Sequence, residues 1–335
     1  MSAAMKVLFI GGTGNISSGC LLPTLEKGYE LFVFNRGKHL RDLPQGIVHV
    51  KGDARSRDDM AKLASSCRFD VVVNWIGFTP DDVALDLEVF GGKISQYIYI
   101  SSASVYQKPP NHYIVTESTA RRNPYNEYSR NKIACEDFLM KAFREVDFPA
   151  TIVRPSHTYG LTIPTNLGGV RDYTIVDRML AGKEIVAHGD GETLWTFTHN
   201  SDFAVAFVDL IGNMRTIGEA YHITSDEVLT WNQSFQTIAR ECGGTANIVH
   251  IPTDFINSVD PEMARPLLGD RAYSFVFDNT KIKQISPRFQ AKVSYAEGVR
   301  KTLAYYESHP EMKTVNHKAV ASLEAILSAW HGKGR

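Results

Sequence analysis

Tyr128 and Lys132 stand four residues apart in the stretch YSRNK. They lie in a segment, residues 126 to 145, whose apolar residues recur at helical spacing. On a helix that interval puts both side chains on one face. A phenol is a poor base at neutral pH because its reference pKa is near 10. An ammonium group on the same face favours the phenolate. Lowering the pKa by about three pH units requires roughly 4 kcal/mol of differential stabilisation, much of which a close, partly desolvated cation supplies. The pair can move a proton to or from a hydroxyl, or it can be simple packing. The surrounding elements decide.

Gly11, Gly12, Gly14 and Ser17 follow the apolar run MKVLFI and open a helix-like segment that reaches about Lys27. Glycines in that place permit a tight turn and let backbone amides reach a pyrophosphate at a helix N-terminus. Gly11, Thr13, Gly14, Asn15 and Ile16 are therefore candidate cofactor-binding residues. Ser17 takes the place of a third glycine, and its small side chain keeps close helix–strand contact possible. The next apolar run ends at Asn35 and Arg36, about where a carboxylate would hold the ribose of NAD. A neutral residue beside an arginine suits a 2′-phosphate, so NADP is the expected cofactor, with NAD as the alternative. Asp53, beside Ala54, is placed to meet the adenine amine or to cap the helix that follows.

These residues need a scaffold, and the chain supplies one by alternation. Strand-like runs at 5–10, 29–37, 46–53, 69–77, 96–106 and 149–156 are separated by helix-like segments. That rhythm predicts an α/β protein, a Rossmann-type doubly wound parallel sheet with a smaller, mixed α/β C-terminal region for substrate. The β-branched runs fit strands buried on both faces. The expected division is 1–160, 161–310 and an appended helix and tail at 311–335, with a strand near 220–224 returning to the sheet. Residues 158–173 read as a long loop.

The ordered set GGTGNIS, YISSASVY and YSRNK resembles the extended short-chain dehydrogenase/reductase family, in its NAD-dependent epimerase/dehydratase group. RPSHTYG and GDGETLWTFTHNSDFAVAF resemble later segments of that family, so the likeness covers roughly residues 5 to 305. The resemblance implies hydride-transfer chemistry with Ser102, Tyr128 and Lys132 as the catalytic set. Ser102 would bind the substrate oxygen, Tyr128 would exchange its proton, and Lys132 would also hold the nicotinamide ribose. Trp75, Ile76 and Gly77 match the family's loop after the fourth strand, which touches the cofactor. Pro155 and His157 follow the catalytic helix near the expected nicotinamide. Homodimerisation through the Tyr128 helix is also implied.

Departures from the family narrow the reaction. Ala103 and Ser104 stand where family dehydratases carry an Asp–Glu pair, and SSASVY lacks the cysteine of two-carbon epimerases. Alcohol/ketone redox or 4-epimerisation remains, on a sugar-like or nucleotide-sugar hydroxyl. Ser102, Ser104, Asn166, Trp195 and Arg271 are the candidate substrate residues. Trp195 stands where a diphosphate-binding arginine is usual, which counts against a UDP-sugar. Arg171, Arg178 or Arg271 is a possible replacement for that charge.

Composition limits the alternatives. A formal net charge of −1 offers no field for nucleic acid or anionic lipid. The four dispersed cysteines fit reduced thiols in a cytoplasmic protein, and no metal spacing is present. The apolar runs are too short to span a bilayer, and no signal peptide is expected. Two rival readings keep the glycine loop without the reaction. One is an RNA-binding relative of the chloroplast stem-loop-binding type, which shares the FNRG strand end. The other is a cofactor-sensing protein with little turnover.

Overall fold

The computed structural model describes residues 4–38, 43–169 and 172–332. Seven strands form one sheet: β1 (Lys6–Ile10), β2 (Glu30–Asn35), β3 (Val48–Lys51), β4 (Val71–Asn74), β5 (Gln96–Ile100), β6 (Ala150–Pro155) and β7 (Ala220–Ile223). Every pairing is parallel, in the order β7-β6-β5-β4-β1-β2-β3. Strand order reverses at β1, so the crevice for a ligand opens beyond its C-terminal end. β4, β5 and β6 are buried along their whole length. That is why they read as unbroken apolar runs rather than as alternation.

Helices α1 (Ser17–Glu26), α2 (Arg57–Ser66), α3 (Pro80–Phe90), α4 (Glu127–Val146) and α5 (Asn200–Phe207) cover both faces. Val7 and Phe9 of β1 pack with Cys20 and Leu21 of α1 and Phe203 and Phe207 of α5. Leu8 and Ile10 pack on the other face with Met60, Val83 and Leu139 from α2, α3 and α4. Alternate residues of one strand thereby feed two cores.

Three expectations change. The run 96–106 is not one strand: β5 stops at Ile100, and a single 3-10 turn, Ala103–Val105, follows with Ser102 as its cap. The segment expected as a long loop contains a short strand, His157–Tyr159, paired in parallel with Phe197–His199. The helix His317–Gly332 is not an appendage, because Leu323, Ile326 and Leu327 enter the C-terminal core with Trp195, Trp231 and Phe235.

Candidate active site

The glycine loop owes its shape to backbone that side chains would forbid. Gly11 and Gly12 have φ of +101° and +95°. A Cβ on Gly12 would lie 3.1 Å from Val33 Cγ1, and one on Gly11 would lie 3.0 Å from Ile76 Cγ2. Gly14 N donates to Ser17 Oγ at 2.9 Å, so the serine in the third glycine position closes the turn instead of merely fitting it. Close approach of helices falls to Gly19, where a Cβ would sit 2.8 Å from the Asn200 backbone of α5. Asn15 is committed to the scaffold. Its amide donates to Thr158 O at 3.3 Å and accepts from Leu161 N at 2.7 Å. Ile16 packs at the edge of the core under α1. What remains for a pyrophosphate is the backbone N–H fringe of the first turn of α1.

A cleft of about 190 Å³ opens beside the loop, lined by Gly11, Thr13, Asn35, Arg36, Asp53, Ala54 and Ile76 among others. Lys38, Arg55 and Asp82 line it too, and Arg55 Nε pairs with Asp82 Oδ1 at 3.2 Å. Asn35 does not present a free amide there. Its Nδ2 donates to Gly11 O at 3.3 Å and its Oδ1 accepts from Gly37 N at 2.8 Å. Asp53 accepts from Arg55 N at 3.0 Å, while Ser56 is the residue that caps α2. Thus the glycine cradle and the cleft beside it fit the pyrophosphate and adenosine end of a dinucleotide.

Trp75 is placed differently from its neighbours. Its ring turns into the core, 4.9 Å from Phe207 and 5.4 Å from Phe9, and only Ile76 faces the cleft. Gly77 acts through its carbonyl, which accepts from Lys132 Nζ at 2.7 Å.

The face of α4 that carries Tyr128 and Lys132 is built from its first turn. Asn126 caps the helix by accepting from Tyr128 N at 3.0 Å. Tyr128 is 40% exposed, whereas Lys132, one turn deeper, is 1% exposed. Lys132 Nζ lies 5.7 Å from the Tyr128 ring centroid and 5.0 Å from that of Phe78. It also donates to Ile100 O at 2.7 Å. Burial lowers the amine to about 8. The group is still an ammonium at neutral pH, and it sits in surroundings where its charge is weakly screened.

Ser102 is oriented by its own turn. Ser104 N donates to Ser102 Oγ at 3.2 Å and Ser104 Oγ donates to it at 2.9 Å. With two donors on its oxygen, the Ser102 hydroxyl is left to donate its own proton outward. Asn123 joins this turn to the Tyr128 helix: its Nδ2 donates to Ser104 O at 2.9 Å, and its Oδ1 accepts from Tyr125 N at 3.2 Å. Asn123, Phe78, Lys38 and Asn74 were not legible as site residues. The N-P-Y-N run before α4 was the available signal for the first.

The other predicted residues fall on the C-terminal side. Pro155 ends β6, paired with Ile223. The His157 ring lies 5.6 Å from Phe197 and 6.3 Å from Trp231. Trp195 packs 5.9 Å from Trp231 and 6.2 Å from Phe275, at the heart of the C-terminal core. Arg271 Nη1 donates to Asn166 O at 2.7 Å. Asn166 Oδ1 and Trp195 Nε1 are buried without a protein hydrogen-bond partner, but neither residue lines the cofactor cleft. Arg178 is structural: it donates to Glu184 O at 2.7 Å and to Glu324 at 2.6 Å. Arg171 lies outside the described residues. Lys108, also buried, pairs with Asp270 at 3.2 Å.

A switch-point cleft with a glycine cradle, and a Tyr–Lys pair facing the next strand ends, define a dinucleotide-binding oxidoreductase-type α/β protein. The model of the NAD dependent epimerase/dehydratase family matches residues 7–224, and the chain belongs to that family. It is 25% identical over 288 residues to the 2'-dehydrokanamycin reductase of Streptomyces kanamyceticus, covering 86% of this chain and 81% of that protein. It is 28% identical over 254 residues to the chloroplast stem-loop binding protein of 41 kDa b of Arabidopsis thaliana, covering 72% of this chain and 63% of that one. Among solved structures, the UDP-glucose 4-epimerase from Bifidobacterium longum, in complex with NAD+ and UDP, has a TM-score of 0.75 at 18% identity, covering 91% of this chain and 99% of that one. At that identity the likeness speaks to fold. Among the described residues no helix is long and apolar enough to cross a membrane.

Proposed function

We propose that this protein is an NAD(P)-dependent oxidoreductase, or a 4-epimerase, acting on a hydroxyl or ketone of a sugar-like or nucleotide-sugar substrate. One observation carries the reading: a buried Lys132 ammonium 5.7 Å from the Tyr128 ring, on a helix that starts beside the Ser102 turn. A dinucleotide held at the glycine loop and its cleft would supply the hydride acceptor for oxidation of the carbinol carbon, or the hydride donor for reduction of the ketone. Ser102 donates to the substrate oxygen and fixes its distance from Tyr128. In oxidation the substrate O–H proton passes to Tyr128 Oη, and in reduction Tyr128 returns it. Lys132 favours the phenolate form that accepts the proton. NADP is preferred because Arg36 and Lys38 line the cleft beside Asn35, which stands in place of a ribose-binding carboxylate. The substrate is a sugar-like or nucleotide-sugar molecule, and Trp195, packed among Trp231 and Phe275 where the family usually has a cation, counts against a diphosphate contact at that position. The outward face of α4 carries Arg130, Asp137, Lys141 and Glu145, so self-association through it would be polar.

Native mass spectrometry of the purified protein should show a co-purifying dinucleotide, with NADP favoured. Tyr128→Phe should lower turnover of the true substrate by about 10²-fold or more, with dinucleotide affinity nearly unchanged. Wild-type rates in that variant would rule out the proton-transfer role. The match to the stem-loop binding protein supports a second reading, nucleic-acid binding without turnover. Salt-dependent binding of an RNA stem-loop by protein that takes up no dinucleotide would favour it.

A further inference from the structure

Lys132 is held between two carbonyls, and one of them belongs to a residue that is itself clamped. Gly77 O accepts from Lys132 Nζ at 2.7 Å and from Tyr99 Oη at 3.1 Å. Gly77 N donates to Asn74 Oδ1 at 2.6 Å, and Ile76 N donates to the same oxygen at 2.8 Å. Asn74 Nδ2 donates to Asp86 Oδ2, which also accepts from Tyr97 Oη. Asp86 sits on α3 and is 1% exposed.

A carboxamide can exchange its oxygen and nitrogen by half a turn. With Asp86 behind it, only one orientation pairs donor with acceptor at both ends. Asn74 must then turn its oxygen to the two backbone N–H groups. A buried carboxyl is costly to keep on an apolar helix face unless its oxygens are hydrogen-bonded, and the oxygen of Asp86 that faces Asn74 is held by that amide and by Tyr97.

We propose that Asp86 is a positioning residue that, through Asn74 and Gly77, aims the Lys132 ammonium at Tyr128. This rests on the proton-transfer reading above. The route is a chain of side-chain and backbone contacts, each within hydrogen-bond distance. Burial pushes the Asp86 carboxyl up to about 7, against hydrogen bonds from Tyr97 and Asn74 that lower it. The charged and titratable neighbours that bear on these two groups are Asp82 of α3, Tyr97 and Tyr99 of β5, and Cys135 and Glu136 of α4.

The test is a tyrosinate absorbance titration of cofactor-free protein, which needs no substrate. Subtracting the matching Tyr128→Phe variant isolates Tyr128. The Lys132 value of about 8 holds while Tyr128 is neutral; an ionising Tyr128 keeps the proton on the amine, so the two titrate as a coupled pair and the wild-type tyrosinate midpoint should lie below the ordinary value near 10. In Asp86→Leu and Asn74→Ala it should rise by about one pH unit, the scale of a displaced neighbouring charge. Asp86→Asn, whose amide oxygen still accepts from Asn74 and Tyr97, should keep the wild-type midpoint. Circular dichroism and thermal unfolding establish that each variant is folded, and Asn74→Ala carries the test if Asp86→Leu is not. A wild-type midpoint in folded Asn74→Ala overturns the positioning role and leaves the proton-transfer reading standing. So does an Asp86→Asn midpoint as high as that of the disrupted variants. A wild-type midpoint at or above about 10 overturns the proton-transfer reading itself.

Discussion

At the scale of single residues, chemistry and burial pull in opposite directions. Lys132 is useful because its charge is poorly screened, and that same burial costs stability. The amine stands at about 8 in the folded protein, against 10.5 for an unperturbed lysine. Between those two pH values the unfolded chain binds the proton and the folded chain does not. The unfolded state then holds more protons, so this group's contribution to stability rises with pH across the window. Below it, both states are charged and the penalty is constant. Relative to Lys132→Met, wild-type stability should therefore gain roughly 3 kcal/mol on going from pH 8 to pH 10.5, read by urea denaturation. The cofactor cations make a second test. Arg36→Ser combined with Lys38→Ser should weaken NADP+ binding at least about tenfold by calorimetry, with little change for NAD+. Residue identity alone disclosed Tyr128 and Lys132, since their spacing is a helical property. It did not disclose which way Trp75 faces. A tryptophan one position past a strand end can point to the crevice or to the core, and only Phe9 and Phe207 decide that.

At the scale of elements, the local sequence sets boundaries and the packing sets distances. Pro80 at the start of α3 and the Thr79–Asp82 capping box mark that helix without tertiary information. The same holds for Thr230 and Gly243 at the two ends of the helix Trp231–Cys242. The closeness of α1 to α5 is different in kind. It depends on Gly19 meeting a backbone some 180 residues further on in the chain, at 2.8 Å from where a Cβ would be. Gly19→Ala should cost about 1–3 kcal/mol by overpacking, seen as a lower urea midpoint at an unchanged slope. Dinucleotide affinity should fall as well, because α1 carries the phosphate turn. Sequence reading assigned the helix–strand contact to Ser17, as the third residue of a motif. The structure shows Ser17 buried and hydrogen-bonded to the Gly14 N–H, while Gly19, two positions later, makes a separate close contact between helices α1 and α5.

At the scale of the whole molecule, the dinucleotide-binding half is not closed on itself. β7 and α5 both come from beyond residue 160, yet they pair with β6 and cover Phe9 and Trp75. A fragment of residues 1–160 would expose that apolar face to water. It should lack a cooperative thermal transition and bind hydrophobic dyes, whereas the full chain should not. The division into a cofactor region and a substrate region is therefore a proposal about function more than about independent folding units. The helix His317–Gly332 makes the same point from the other end, through Leu323 and Ile326 in the C-terminal core.

By itself, the sequence determined the alternation of strands and helices, the glycine turn, the Tyr–Lys face and the family, because each is written in short-range spacing and residue type. Only the tertiary structure decided that Ser104 orients Ser102, that Asn15 and Asn35 serve the scaffold, that Trp195 is core, and that Asp86 stands behind the lysine. The physical reason is directional. A hydrogen bond or a ring contact depends on where a side chain points across a gap bridged by distant segments, and helical or strand periodicity carries no record of that.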